Sequence, residues 1–355
     1  MKNKTVGILL DDDTFARLPS LHTGNEQLHL YNRAAKELKL APPFFMNLRR
    51  ITGSSVTGYT YSGRRYLLQR RSLPRVVHNR DLALRPRMNA KLTRLARSSL
   101  VFNRKNRYSK TKIATILAKD KSLQPYLPDT FAYSSARLAQ TMNKYGALFI
   151  KPASGSVGDG IVKLSRAGHD LWLVQWKKQQ KLSGPKARAL VHRVTAGKPY
   201  LIQEAVMLAQ YRGRPYDIRV SVQKGLSGAW QITGMVGKVA APGRHVTNVA
   251  KGGSVKRCSV LFKNSGLPPE ETARAVARVS LHIAACLDRH LPRLADLGLD
   301  MGVDRNGRVK FIEMNGRDQR YSFRKAGMSS EFYRTYRNPM AYGKRLLARS
   351  GPRPR

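Results

Sequence analysis

The chain is short of three things. Cysteine occurs only at Cys258 and Cys286 in 355 residues. Two such distant thiols have neither the count nor the spacing of a disulfide framework or a zinc site, and both read as buried thiols. Long apolar runs are missing too: nothing approaches the roughly 18 residues of a membrane helix, and "MKNKTVGILLDDD" has an apolar stretch too short for a secretory signal. A cytoplasmic protein without a membrane span is expected. Acid is the third shortage, with 21 Asp+Glu against 66 Lys+Arg and a formal net charge of +45. Such a field draws in polyanions, so nucleic acid, an acidic polymer and an anionic surface all enter as partners. Nucleic acid fits least, because no more than two basic residues stand together and no binding motif is present. The barest stretch runs from Arg49 to Lys112, where Asp81 is the only acid.

What is present is enough for a substantial core: 41% of residues are hydrophobic, and the length suits two or three domains. "KTVGILL", "EQLHLYNRAAKELKL" and "PFFMNL" alternate strand, helix and strand, a β-α-β opening. "VTGYTYSGRRYLLQRR" alternates about Ser62-Gly63 as a hairpin, and "RPRMNAKLTRLARSS" reads as a helix before the short strand "LVFN". Ser109 is placed to cap a helix that ends before Pro125 and Pro128. Pro268 to His290 has Val276, Val279, Ile283, Leu287 and Leu291 at helical spacing, a core-facing stripe.

Two stretches carry chemistry. "FIKPASGSVGDGIVKL", residues 149–164, is neither a P-loop nor a dinucleotide fingerprint, since Gly160 is followed by Ile161 and Val162 and the spacing of Gly155, Gly158 and Gly160 is reversed. The short, β-branched "GIVKL" makes it a loop between two strands. Such a loop can fold its backbone N–H groups over phosphates, with Lys151 as a cation beneath, or it can be an ordinary surface hairpin. In "LGLDMGVDRNGRVKFIEMNGRDQR", residues 297–320, two strands flank an Asn306-Gly307 turn. Glu313 and Asn315, two apart, point to one face, and Asp300 of the partner strand lies within reach. Three oxygen ligands without histidine or thiol suit Mg²⁺, and a carboxylate among apolar strand residues costs several kcal/mol unless paired or metal-bound. The competing reading has both acids answering nearby arginines on a solvated face.

The order of these parts resembles the ATP-grasp superfamily: Lys110 opening a helix, Lys151 before the glycine loop, then "YLIQEAV", "DIRVSVQ", "NVAKGG" and "IEMN". Within it the chain is most similar, from about Val6 to Phe323, to the YheC/YheD group of endospore-coat-associated proteins. The resemblance implies an α/β (α+β) ATP-grasp fold with a Rossmann-like pre-ATP-grasp domain over 1–105. An ATP-grasp domain would follow over 106–330, with a small central subdomain about 130–205 and a metal-binding subdomain about 206–330, then a basic tail over 331–355. It implies ATP and Mg²⁺ as cofactors. Lys110 and Lys151 would contact phosphates under a lid of Gly155, Ser156, Gly158 and Gly160. Gln203, Glu204, Ala205 and Val206 would form the adenine and ribose side. Asp300, Glu313 and Asn315 match the metal ligands, and Arg219 and Lys251 would face the acceptor and the transferred phosphoryl group. Lys238 and Lys251 stand where relatives often carry arginine, which keeps the charge but not the bidentate fork. The implied activity is a carboxylate-amine (or related nucleophile) ligase working through an acyl phosphate on an acidic substrate. The alternative is a spore-coat-associated or anionic-surface-binding protein that retains the fold.

Overall fold

The computed structural model describes residues 4–154, 160–243, 247 and 252–349. The first strand, β1 (Val6–Leu9), is buried along its whole length, as continuous apolar runs in parallel sheets are. It pairs in parallel with β2 (Phe44–Thr52) and β5 (Val76–Asn79), with α1 (Asp12–Ala16) and α2 (His29–Glu37) in the crossover. The expected β-α-β opening is therefore present. Strands β3 (Ser55–Tyr61) and β4 (Tyr66–Ser72) form the hairpin about Ser62-Gly63, and β6 (Leu100–Phe102) completes the order β4-β3-β2-β1-β5-β6. One face of this sheet is covered by α3 (Pro86–Ser98), whose Leu92 and Leu95 join Phe44, Met46 and Val77 in a core. The opposite face packs on α2.

The second unit begins at α4 (Lys110–Ala118), where the Ser109 hydroxyl accepts from the N–H of Lys112 at 3.2 Å, the expected N-cap. Its sheet contains β7 (Thr130–Ala132), β8 (Ala147–Pro152), β9 (Val162–Arg166), β10 (Leu171–Gln175), β11 (Gln179–Ser183) and β12 (Tyr200–Glu204), in the order β11-β10-β9-β8-β12-β7. Strands β8 and β9 are antiparallel neighbours, so the glycine stretch does join two strands. Helices α5 (Ser135–Lys144) and α6 (Gly184–Thr195) bury Leu138, Met142, Leu190 and Val191 against one face.

The third sheet takes β13 (Gln210–Tyr211), β14 (Arg214–Lys224), β15 (Trp230–Val239), β16 (Ser254–Arg257), β17 (Asp296–Val303) and β18 (Val309–Asn315). Its order is β16-β15-β14-β17-β18, with β13 paired to β14. Helices α7 (Cys258–Asn264) and α8 (Pro269–His290) pack on it, and the predicted stripe from Val276 to Leu291 is buried. Both cysteines are buried free thiols. No described helix is long and apolar enough to cross a membrane.

Of the segment expected as a basic tail over 331–355, residues 331–349 belong to the C-terminal helix, and 350–355 lie outside the described residues. After α9 (Tyr321–Lys325), residues Ser329–Arg349 form α10, a 21-residue helix. Its Phe332, Tyr336, Met340 and Ala341 recur at helical spacing and are buried with Tyr31 and Phe45 of the first unit; this apolar stripe outweighs the basic residues between them. At Gly343 a Cβ would stand 2.8 Å from a Val6 methyl, so the helix reaches β1 only with glycine there.

Candidate active site

The end of β8 and the start of α4 are tied by one backbone bond, from the Lys110 N–H to the Ala153 carbonyl at 3.0 Å. That bond brings two lysines distant in sequence to one place. Lys151 Nζ donates to Gln203 Oε1 at 2.5 Å, and Gln203 Nε2 to Thr130 Oγ1 at 2.9 Å, which fixes the cleft-facing surface of the second sheet. Burial pushes the Lys151 ammonium down to about 8, against the favourable field of Glu313. Lys110 Nζ crosses to the third sheet and meets Glu313 Oε1 at 3.0 Å.

In the third sheet Asp300 lies opposite Glu313 across β17 and β18, with Gly298 opposite Asn315. Asp300 is only 7% exposed, and every direction around its carboxylate is used. Arg219 forks onto it, Nε to Oδ1 at 2.8 Å and Nη2 to Oδ2 at 3.1 Å; Lys238 Nζ donates to Oδ1 at 2.8 Å and Asn315 Nδ2 to Oδ2 at 3.3 Å. Although burial works against its charge, Arg219 and Lys238 hold Asp300 well below the usual carboxylate range. Arg219 is further held by Asp318 at 3.2 Å, a fully buried acid that also accepts from Ser221. Asp217 stands 3.1 Å from Lys238, and burial pushes it up to about 6.

The network continues into the first unit. Asp296 accepts from Arg320 at 2.7 Å and Gln223 at 2.8 Å, with His78 Nε2 at 3.3 Å. Arg80 pairs with Glu26 and donates to the Asp318 carbonyl at 2.9 Å. A cleft of about 830 Å³ opens above this floor, lined by Lys110, Lys151, Gln203, Glu204, Val206, Arg219, Asp300, Glu313 and Asn315.

The sequence-predicted residues thus converge in large part. Ala205 is buried beside the cleft with its N–H on the Ala147 carbonyl, and Glu204 accepts from the Asp129 N–H at 3.2 Å. Gly160 has a φ of 73°, a conformation suited to glycine. Gly155, Ser156, Gly158 and Lys251 lie outside the described residues. Among those described, no three His, Cys, Asp or Glu side chains form a metal-holding group. The donor set still fits Mg²⁺ in a narrower form: Glu313 has one oxygen beyond its bond to Lys110, and Asn315 turns its amide nitrogen to Asp300, which leaves its Oδ1 for a cation. Asp300 itself has no lone pair to spare. The reading in which the acids answer arginines therefore holds for Asp300, though in a buried setting and not on a solvated face.

Sequence reasoning missed Asp318, Asp296, Arg80 and Arg320. One signal was available: Asp296 and Asp300 are four apart in an apolar strand, on one face, in a chain with few acids.

The profile of the YheC/D-like ATP-grasp family matches residues 99–346, more than half of the chain. The chain belongs to that family. Endospore coat-associated protein YheD of Bacillus subtilis (strain 168) is 27% identical over 226 residues, covering 61% of this YheC/D-like chain and 49% of YheD. YheC of the same organism is 22% identical over 220 residues, 58% of each chain. The chain thus spans roughly half the length of these relatives. Among solved structures, D-cycloserine synthetase DcsG superposes with a TM-score of 0.55 at 11% identity, over 96% of this chain and 99% of DcsG. D-alanyl-alanine synthetase A from Vibrio cholerae O1 biovar eltor str. N16961 gives 0.54 at 11% identity, with the same coverage. The ATP-grasp ligase PsnB gives 0.51 at 14% identity, over 94% of this chain and 99% of PsnB. These likenesses establish the α/β ATP-grasp fold, and the match reaches into α10.

Proposed function

We propose that this YheC/D-like protein is an ATP-dependent ligase that activates a carboxylate and joins it to an amine or a related nucleophile. The observation that carries the reading is the shared cleft into which the start of α4 directs Lys110, the second sheet Lys151 and the third sheet Glu313 and Asn315. Phosphoryl transfer needs alignment and neutralisation of charge more than a protein nucleophile, and this set supplies both. Lys110 and Lys151 receive phosphate oxygens, while Gln203 to Val206 border the base and ribose. Glu313 and Asn315 would hold Mg²⁺, which when bound neutralises phosphate charge and orients the terminal phosphoryl group. A substrate carboxylate oxygen attacks the γ-phosphorus, the bond to the β,γ-bridging oxygen breaks, and ADP leaves with that electron pair. The nucleophile then attacks the acyl carbon, inorganic phosphate departs and the nucleophile loses its proton.

Arg219 acts in this scheme through Asp300 and Asp318, which set its guanidinium beside the reacting end of the cleft. Arg17 and Arg107 also line the cleft, and neither forms an ion pair among the described residues, which favours an acceptor with more than one anionic group. The test is incubation with Mg-ATP and pools of carboxylates and amines while ADP and phosphate are followed. Release that depends on both pools supports the ligase. Tight nucleotide binding with no acceptor-dependent release under a broad screen contradicts it.

A further inference from the structure

We propose that the outer face of α3, with Arg71 of β4 on the same side of the sheet, is a docking surface for an acidic polypeptide, separate from the nucleotide cleft. The stretch from Arg49 to Lys112 contains eighteen Lys or Arg and the single acid Asp81. In the fold it supplies α3 and the β2–β4 arm. Arg87, Arg94 and Arg97 are all exposed. At about 1.5 Å of rise and about 100° of turn per residue they span about 15 Å within one narrow arc of the helix, a spacing an extended chain can follow. Lys91 anchors the strip by donating to the carbonyls of Leu48 at 3.2 Å and Arg49 at 3.3 Å. Arg71 lies over the Phe44 ring at 5.5 Å on the same side of the sheet, widening the strip.

Among the described residues Arg71, Arg87, Arg94 and Arg97 form no ion pair. Some helix arginines elsewhere are answered, Glu270 meeting Arg274 on α8, Glu331 meeting Arg334 on α10 and Glu37 meeting Arg337, whereas α3 contains no acid at all. On α3 the neighbours three and four apart, Arg87 with Lys91, Lys91 with Arg94 and Arg94 with Arg97, are all of like sign. That arrangement is unfavourable for an isolated helix, and an anionic partner relieves it. Guanidinium forks match carboxylates. The exposed positions of α3 are Pro, Arg, Asn, Ala, Thr and Ser, with no aromatic platform of the kind single-stranded nucleic acid uses. The surface does not depend on ATP turnover.

Fluorescence anisotropy with labelled poly-L-glutamate tests this on the full chain. Wild type should bind, and more weakly at about 200 mM than at about 50 mM salt. The triple variant Arg87→Glu/Arg94→Glu/Arg97→Glu should weaken binding about tenfold or more. Lys186→Glu/Arg193→Glu/Arg278→Glu, with an identical change in net charge at exposed positions away from α3, should weaken it less than about threefold. Equal losses in the two variants would show that the diffuse field binds, and would overturn the assignment. So would tighter binding of a DNA duplex than of polyglutamate, or no binding of polyglutamate by wild type. Should the triple variant fail to fold, hydrogen exchange on wild type decides: slowed exchange over 86–98 with polyglutamate supports the surface, and slowing confined elsewhere refutes it.

Discussion

Removing each of the two carboxylates that face each other across β17 and β18 should have opposite consequences. Among the described residues the ion pair of Glu313 is with Lys110, at 3.0 Å, with side chains 35% and 22% exposed. A pair of that exposure contributes about 0.2–1 kcal/mol, so Glu313→Ala should leave urea stability nearly unchanged. Asp300→Ala instead strips a forked partner from Arg219 and one of two acidic partners from Lys238, whose side chains are 9% and 11% exposed. Leaving buried cations short of their partner costs about 3–5 kcal/mol. Mg-ATP then separates Glu313→Ala from wild type. At a hundredfold excess over its Kd a ligand stabilises by about 2.7 kcal/mol; wild type should gain that amount and Glu313→Ala should gain little. Urea titrations with and without saturating Mg-ATP measure both effects. The reasoning fails if Asp300→Ala unfolds at the same urea concentration as Glu313→Ala, or if Glu313→Ala keeps the full nucleotide gain.

Three further outcomes are expected. Phosphate binding favours protonated Lys151, so Mg-ATP affinity should fall as pH rises through about 8, where burial has placed that ammonium, and Lys151→Arg should flatten the profile; an unchanged slope contradicts this. Burial lowers the His78 imidazole from 6.5 to about 4. The unfolded chain therefore binds the proton that the folded one refuses, and about 3 kcal/mol of stability is lost as pH falls through that window; His78→Gln should show a shallower acid limb in denaturant titrations. At Gly298 a Cβ would stand 2.4 Å from Asp318 Oδ1 and 3.1 Å from Arg219 Nη1. Gly298→Ala should cost about 1–3 kcal/mol by overpacking, and wild-type stability in that variant would show that the Arg219–Asp318 contact gives way freely.

Local patterns were legible where the chemistry is local. The hairpins at Ser62-Gly63 and Asn306-Gly307, the Ser109 cap and the stripe on α8 each depend on neighbours within a few residues. So does the pairing of Glu313 with Asn315 on one strand. The partners of Arg219 are of another kind: Asp300 and Asp318 are 81 and 99 residues away; the antiparallel β14–β17 register sets Asp300 opposite it, and Asp318 arrives from the segment after β18. Nothing in "DIRV" announces which acid will fill its fork. The same distance concealed the link from Arg80 through Asp318 to the cleft floor. Residues 331–349 were obscured by charge, since Arg334, Arg337, Lys344 and Arg345 read as a tail until Phe332, Tyr336 and Met340 are seen to share one face with Tyr31.

The central claim is that two sheets close on one nucleotide. Its most direct test is a structure with a non-hydrolysable ATP analogue and Mg²⁺. The account predicts one molecule in the cleft, its phosphates on Lys110 and Lys151 from one side and a cation on Glu313 and Asn315 from the other, with the Arg219–Asp300 pair intact. An analogue bound to one sheet alone, or a cation on Asp300 with Arg219 displaced, would contradict it.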